Sequence, residues 1–264
     1  MFDRFVECLL AEVAEWVNDC PMSNAASAIA VPDVAPELNP QLDTSALAEE
    51  FRRNQRIHIQ NILTEPAAMR LFQVLQKETP WTVTFNKGTD FFDVENVSLE
   101  ERALMSRNAF ERARAGFAYI FDNHRLSRNG EPYRDPNHYL AQFVAFMNST
   151  PVLEFMRGVT GLAEIAWTDA QATLYRPGDF LTLHDDKTGG HKRLAAYVLN
   201  MTPGWQPDWG GALQFFDERG HIAEAYLPRF NALNIFRVPV PHAVSQVAFF
   251  GGYRYSITGW FHAR

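Results

Sequence analysis

The 264-residue chain has only two cysteines, Cys8 and Cys20. Two thiols can build neither a disulfide framework nor an all-thiolate zinc site, so the expected compartment is the reducing cytoplasm. Positive charge is also short. The 24 Lys and Arg stand against 31 Asp and Glu, a formal net charge of −7. Without a basic excess to neutralise phosphates, no nucleic-acid partner is expected. Long apolar runs are missing as well: nothing approaches the roughly 18 apolar residues that cross a bilayer. Glu7, Glu12 and Glu15 interrupt the first apolar segment, where a secretory leader would be continuous. Neither a membrane partner nor a signal peptide is expected. What is plentiful is apolar surface. Hydrophobic residues make up 47% of the chain, with 21 Phe, 8 Tyr and 6 Trp, enough for a large core without covalent staples. The eight histidines outnumber the cysteines, so metal chemistry is to be sought among imidazoles.

Residues 1–45 read as an appendage. Phe2, Phe5, Val6, Leu9, Leu10, Val13, Trp16 and Val17 recur at helical steps and share one face, a surface for packing on the body or for pairing two subunits as a homodimer. Pro21, Pro32, Pro36 and Pro40 then mark an extended linker over 20–45. The remainder, 46–264, reads as a single domain. In 46–160 the pattern predicts one strand, 56–62, and helices over 67–76, 99–115, 138–147 and 151–159, a mainly helical support. In 161–264 short apolar runs alternate with Gly-Gly and Pro-Gly turns. Eight strands at that spacing suggest a sandwich or jelly roll. Helices first and strands afterwards make the class α+β. The polar and aromatic stretches Thr84–Asp93 and Asp122–Tyr133 lack a helical period and read as loops able to cover a site.

The chemistry concentrates in Tyr175-Arg-Pro-Gly-Asp-Phe-Leu-Thr-Leu-His184-Asp185-Asp186. If the approach to His184 is a strand, Phe180, Thr182, His184 and Asp186 share a face by the two-residue period, while Leu181, Leu183 and Asp185 point the other way. One imidazole and one carboxylate then converge. His242, several predicted strands later, supplies a second imidazole. Two histidines and a carboxylate, with no thiolate nearby, match the facial triad of non-haem Fe(II), which keeps coordination positions open for oxygen chemistry. Near the C-terminus Arg254, Ser256 and Thr258 share a strand face. A guanidinium flanked by hydroxyls suits bidentate capture of a carboxylate, such as the far end of a dicarboxylic keto acid.

These residues together resemble the 2-oxoglutarate- and Fe(II)-dependent dioxygenases, in particular their prolyl hydroxylase-like branch. The matching pieces are Tyr175-x-x-Gly178, His184-x-Asp186, Leu199-Asn200…Trp205, Gly210-Gly211-x-Leu213, His242-x-Val244 and Arg254-x-Ser256-x-x-x-Trp260-Phe261. The resemblance implies a double-stranded β-helix (jelly-roll) core with supporting helices and an N-terminal helical extension. It implies His184, Asp186 and His242 as ligands of Fe(II). It implies Arg254 as the salt-bridge partner of 2-oxoglutarate, assisted by Ser256 or Thr258, with Tyr175 reaching the same carboxylate and O2 as the second cosubstrate. The implied reaction is hydroxylation of an unactivated C–H bond with release of succinate and CO2. Many members carry a tyrosine immediately before the Leu-Asn pair. Here Val198 holds that position and Tyr197 lies one residue earlier, a shift that moves a strand side chain to the other face.

The substrate expected from the branch is a prolyl residue of a protein. A free amino acid or small biosynthetic intermediate is the alternative within enzymes, and a non-catalytic ligand-sensing jelly roll is the alternative outside them. A zinc-dependent jelly roll would leave the Arg254 and Ser256 pattern without a use. His191, beside Gly189-Gly190, is an alternative ligand; His58, His124, His138, His221 and His262 read as surface or core histidines.

Overall fold

The computed structural model describes residues 34–127, 138–187 and 192–264. The predicted N-terminal helix, the first part of the linker, both cysteines and His191 lie outside the described residues, as does much of the stretch 122–133. The described end of the linker is not free. The backbone of Asn39 donates to Ile62 and that of Thr64 to Glu37, so this segment runs along the body. It leads into helix α1 (Thr44–Asn54), which the proline pattern of the linker had obscured. The Asp43 carboxylate accepts from the amides of Ser45 and Ala46 and so caps donors that a helix start leaves unpaired.

Strand β1 (Arg56–Gln60) follows, then α2 (Glu65–Lys77). Along α2, Ala67, Ala68, Leu71, Val74 and Leu75 are buried at three- and four-residue steps. Each fully buried Leu or Val stabilises by about 1.5–3 kcal/mol, against a few tenths from the charges at the helix ends. The apolar face therefore decides the helix. Next come β2 (Thr82–Lys87) and β3 (Asp90–Val94), a hairpin where a loop was expected. After α3 (Leu99–Ala113), β4 (Tyr119–Arg125) was also missed. Helices α4 (Tyr139–Met147) and α5 (Thr150–Thr160) match the pattern within two residues.

The rest is β: β5 (Trp167–Thr168), β6 (Gln171–Tyr175), β7 (Phe180–His184), β8 (Arg193–Asn200), β9 (Leu213–Phe216), β10 (Ile222–Tyr226), β11 (Ala232–Arg237), β12 (His242–Val244) and β13 (Arg254–His262). The strands run antiparallel in the order β1-β11-β8-β13-β6-β4-β7-β12-β9-β10. The chain is thus α+β with a jelly-roll, double-stranded β-helix core. Two strands that build this order, β1 and β4, come from the part that read as helical support. β4 fills the position between β6 and β7 and so joins the two halves of the barrel. At the open seam, Arg56 of β1 pairs with Glu224 of β10, and the His58 and Tyr226 rings lie 5.4 Å apart. The free edges are thereby closed by side chains.

The period-2 rule sorts the larger half cleanly. Ile57, Leu174, Leu199, Ile235 and Ile257 face outward into a core shared with Leu71, Phe143 and Met156 of the helices. The alternate positions face the barrel interior, where Val198, Phe215 and Phe236 pack together. Both faces are buried, so an inward polar residue needs an inward partner. Among the described residues, no helix is long and apolar enough to cross a membrane.

Candidate metal and carboxylate site

β7 does not obey the simple alternation read from its sequence. Leu181 packs inward with Tyr119 and Tyr175, whereas Phe180 packs outward beside Ala109 of α3. His184 nevertheless faces inward, because a bulge resets the phase. Leu181 pairs with Val244 and His184 with His242, so three steps on β7 match two on β12. Bulges of this kind re-aim side chains. β7 ends at His184, and Asp186 reaches the same point by a left-handed backbone, φ 61°, an uncommon conformation for a non-glycine residue. Asp185 turns away and accepts from the amide of Lys187.

The three side chains meet at one place. His184 Nε2 lies 3.6 Å from Asp186 Oδ1, and His242 Nε2 lies 3.5 Å from Asp186 Oδ2. The opposite ring nitrogens are held by backbone carbonyls: His184 Nδ1 by Thr182 at 2.9 Å and His242 Nδ1 by Val240 at 2.7 Å. A backbone oxygen can only accept, so each Nδ1 carries a proton, and it is the Nε2 atoms, facing Asp186, that can offer a lone pair to a cation. Burial, then the facing His184, push the His242 imidazole down to about 4, so it is neutral near pH 7. One atom from each residue lies within 4.8 Å of the others, and among the described residues this is the one such cluster of His, Cys, Asp and Glu. Two lone pairs and a carboxylate oxygen converging on one point fit a divalent cation with coordination positions left open. The walls are apolar: Phe236 lies 4.7 Å from the His242 ring and Phe117 lies 5.7 Å from that of His184.

Arg254 stands in the same cavity of about 820 Å³. It is 1% exposed. No Asp or Glu among the described residues pairs with it. Nη2 donates to Asn200 Oδ1 at 3.1 Å and Nη1 to Ser256 Oγ at 3.4 Å, while Nε is buried without a partner. Burial pulls the guanidinium down to about 10, still protonated at neutral pH. A buried cation lacking an anion is costly, and it calls for one from outside. Tyr175, opposite Arg254 in the strand register, lies under the guanidinium at 5.0 Å. Its hydroxyl is pushed further up by burial, so it remains a donor. Thr258 lines the cavity and accepts from Gln171. Ser256 is fully buried, and its hydroxyl lies between Arg254 and Thr173 Oγ1, 2.7 Å from the latter. Its place is behind the guanidinium.

Asn200 and Thr173, which fix Arg254 and Ser256, had not been singled out, although Asn200 belongs to the Leu-Asn pair. Tyr119, Phe121 and Asn123 of β4 also line the cavity. Their alternation with Ile120 and Asp122 was a usable strand signal. Tyr197 faces the helices with its hydroxyl on the Asp169 carbonyl, and Val198 faces the interior, as the one-residue shift requires. Gly211 allows the close approach beside the Arg254 side chain, and Gly210 that of the Gln246 backbone. Gly210 has φ 68° and ψ −144°, and a Cβ there would sit 2.1 Å from the Gln246 carbonyl oxygen. Gly210→Ala is expected to destabilise by about 2 kcal/mol or more, a fall of roughly 4–8 °C in melting temperature. An unchanged melting curve would refute this steric reading.

Comparison with known proteins agrees in kind. Residues 170–262 match the model of the 2OG-Fe(II) oxygenase superfamily. The chain is similar to prolyl 3-hydroxylase OGFOD1 of Xenopus laevis, 34% identical over 116 residues, which are 41% of this chain and 22% of that protein. It therefore spans about a fifth of that relative's length. Among solved structures it resembles a Pseudomonas putida prolyl-4-hydroxylase, with a TM-score of 0.52 and 20% identity over 84% of this chain and 100% of that one. It also resembles an oxidoreductase of the 2OG-Fe(II) oxygenase family from Burkholderia pseudomallei, with a TM-score of 0.58 and 13% identity over 86% and 93%. These two likenesses concern the fold.

Proposed function

We propose that this chain is an Fe(II)- and 2-oxoglutarate-dependent dioxygenase that hydroxylates a prolyl residue of a protein. The observation that carries the reading is Arg254: a buried cation without an acid, in the same cavity as the His184, Asp186 and His242 cluster. In this reading His184 Nε2, His242 Nε2 and one Asp186 oxygen hold the iron. Bound iron with 2-oxoglutarate supplies the oxidising chemistry, turning O2 and the keto acid into succinate, CO2 and a hydroxylated product.

The chain's own residues do the positioning. Arg254, braced by Asn200 and Ser256, binds the distal carboxylate of 2-oxoglutarate in a fork geometry, and Tyr175 and Thr258 add hydroxyls. Phe117, Leu213 and Phe236 keep water from the reacting end. At the mouth, Phe91 is 66% exposed and Leu183 55%, apolar surface suited to a chain segment flanking the target residue. The prolyl target rests on the similarity to a prolyl 3-hydroxylase, and a cytoplasmic setting rests on the scarcity of cysteine.

The test is direct. Purified protein supplied with Fe(II), 2-oxoglutarate and O2 should form succinate, faster with a proline-containing protein substrate, which should gain one oxygen in mass. Metal-loaded protein that fails to bind 2-oxoglutarate would sink the reading. Turnover with free amino acids but not with proteins would move the substrate to the small-molecule alternative.

A further inference from the structure

Trp260 is tied down on three sides. Its indole Nε1 donates to Asp186 Oδ2 at 2.9 Å. Its backbone N–H donates to Asp169 Oδ1 at 2.7 Å. The Arg193 guanidinium carbon stands 3.6 Å from the centroid of its ring. Trp260 and Arg193 come from neighbouring strands, β13 and β8, and both line the cavity. An ordinary core tryptophan needs no cation on its face, and a carboxylate aimed only by its backbone needs no indole donor.

We propose that Trp260 is a positioning residue for the metal carboxylate, and that Arg193 tightens it. The inference rests on the metal reading above. The indole N–H occupies Asp186 Oδ2, which leaves Oδ1, on the His184 side, as the oxygen free for a cation. It also opposes rotation of a side chain that hangs from an uncommon left-handed backbone position. A cation over the ring draws electron density from the indole and makes its N–H a better donor to a carboxylate. Arg193 also reaches the cavity wall, so a ligand that engages it acts on Asp186 through one intervening ring. This makes a physical link between the substrate side of the cavity and the metal side.

The test uses the full-length chain and Mn(II), with binding and the spectrum of the bound ion followed by electron paramagnetic resonance. Trp260→Phe keeps the ring and loses the donor. It is expected to bind Mn(II) roughly 10- to 100-fold more weakly, the usual effect of removing a group that holds a metal ligand, and to change the spectrum. Arg193→Met keeps the indole and removes the cation; a loss of about 2- to 10-fold is expected, partly recovered by Arg193→Lys. Unchanged affinity and spectrum in Trp260→Phe would overturn the proposal. A Trp260→Phe protein without a cooperative melting transition would leave the decision to Arg193→Met, whose unchanged affinity would then overturn it. Parent protein that binds no Mn(II) fails the metal reading itself, a result distinct from a parent that binds and variants that bind equally well.

Discussion

Replacing His242 by alanine should abolish stoichiometric binding of Fe(II) or Mn(II), and turnover with it. His242 is buried and held at Nδ1 by the Val240 carbonyl, so its Nε2 has one direction to point. Without it the cluster keeps one imidazole and one carboxylate. The loss in affinity should exceed about 100-fold, the upper end of what losing a mere supporting group produces. His221 provides the control. It lies in the exposed turn before β10, with its backbone amide on Asp217, so His221→Ala should bind metal like the parent. Equal metal affinity in His242→Ala and the parent would remove His242 from the site. A parallel loss in both variants would point to a general folding defect.

Arg254→Met should separate binding from stability. The guanidinium is almost wholly buried and faces no acid among the described residues, so the protein without 2-oxoglutarate carries the desolvation of a charge for two hydrogen bonds to neutral acceptors. Removing it should leave the melting temperature of the ligand-free protein unchanged or higher. The affinity for 2-oxoglutarate should fall by about 2–5 kcal/mol, the range seen when one partner of a buried charge pair is truncated, or roughly 30-fold to several thousandfold. Metal affinity should not change. Excess 2-oxoglutarate should raise the melting temperature of the metal-loaded parent, by about 2.7 kcal/mol of stabilisation at a hundred times the dissociation constant, and should leave the variant where it was. Arg254→Lys keeps the charge and loses the fork, and should fall between the two. A variant that binds 2-oxoglutarate as the parent does would show that the carboxylate docks elsewhere.

The parts of the fold that were legible share one property: each bore a pattern inside its own few residues. α2 and α5 show apolar residues at helical steps beside a proline at the helix start. β13 shows alternation over Arg254–His262, and the inward set of Arg254, Ser256 and Thr258 follows from it. Where the pattern was broken or shared with another pairing, the reading failed. β2 and β3 looked like a covering loop because four of the five β3 residues are exposed, the cavity-lining Phe91 among them, so no buried face imposes an alternation there. β4 was read only from Asp122 onward, and as a loop, although it carries four of the residues that line the site, Tyr119, Phe121, Asn123 and Arg125.

The candidate site divides in the same way. Residue chemistry and order were sufficient to single out His184, Asp186, His242 and Arg254, because an imidazole, a carboxylate and a guanidinium carry their donor and acceptor properties wherever they are placed. How these groups come to face one another was not in the local pattern. The bulge against β12 turns His184 inward alongside Leu181, the left-handed backbone at Asp186 swings its carboxylate under both imidazoles, and β4 closes the barrel between β6 and β7. Asn200 and Trp260 then hold Arg254 and Asp186 from distant strands. Each of these is a contact between segments far apart in the chain. Hydrogen-bond register and close packing between such segments are set by the whole sheet, and a local period carries no information about them.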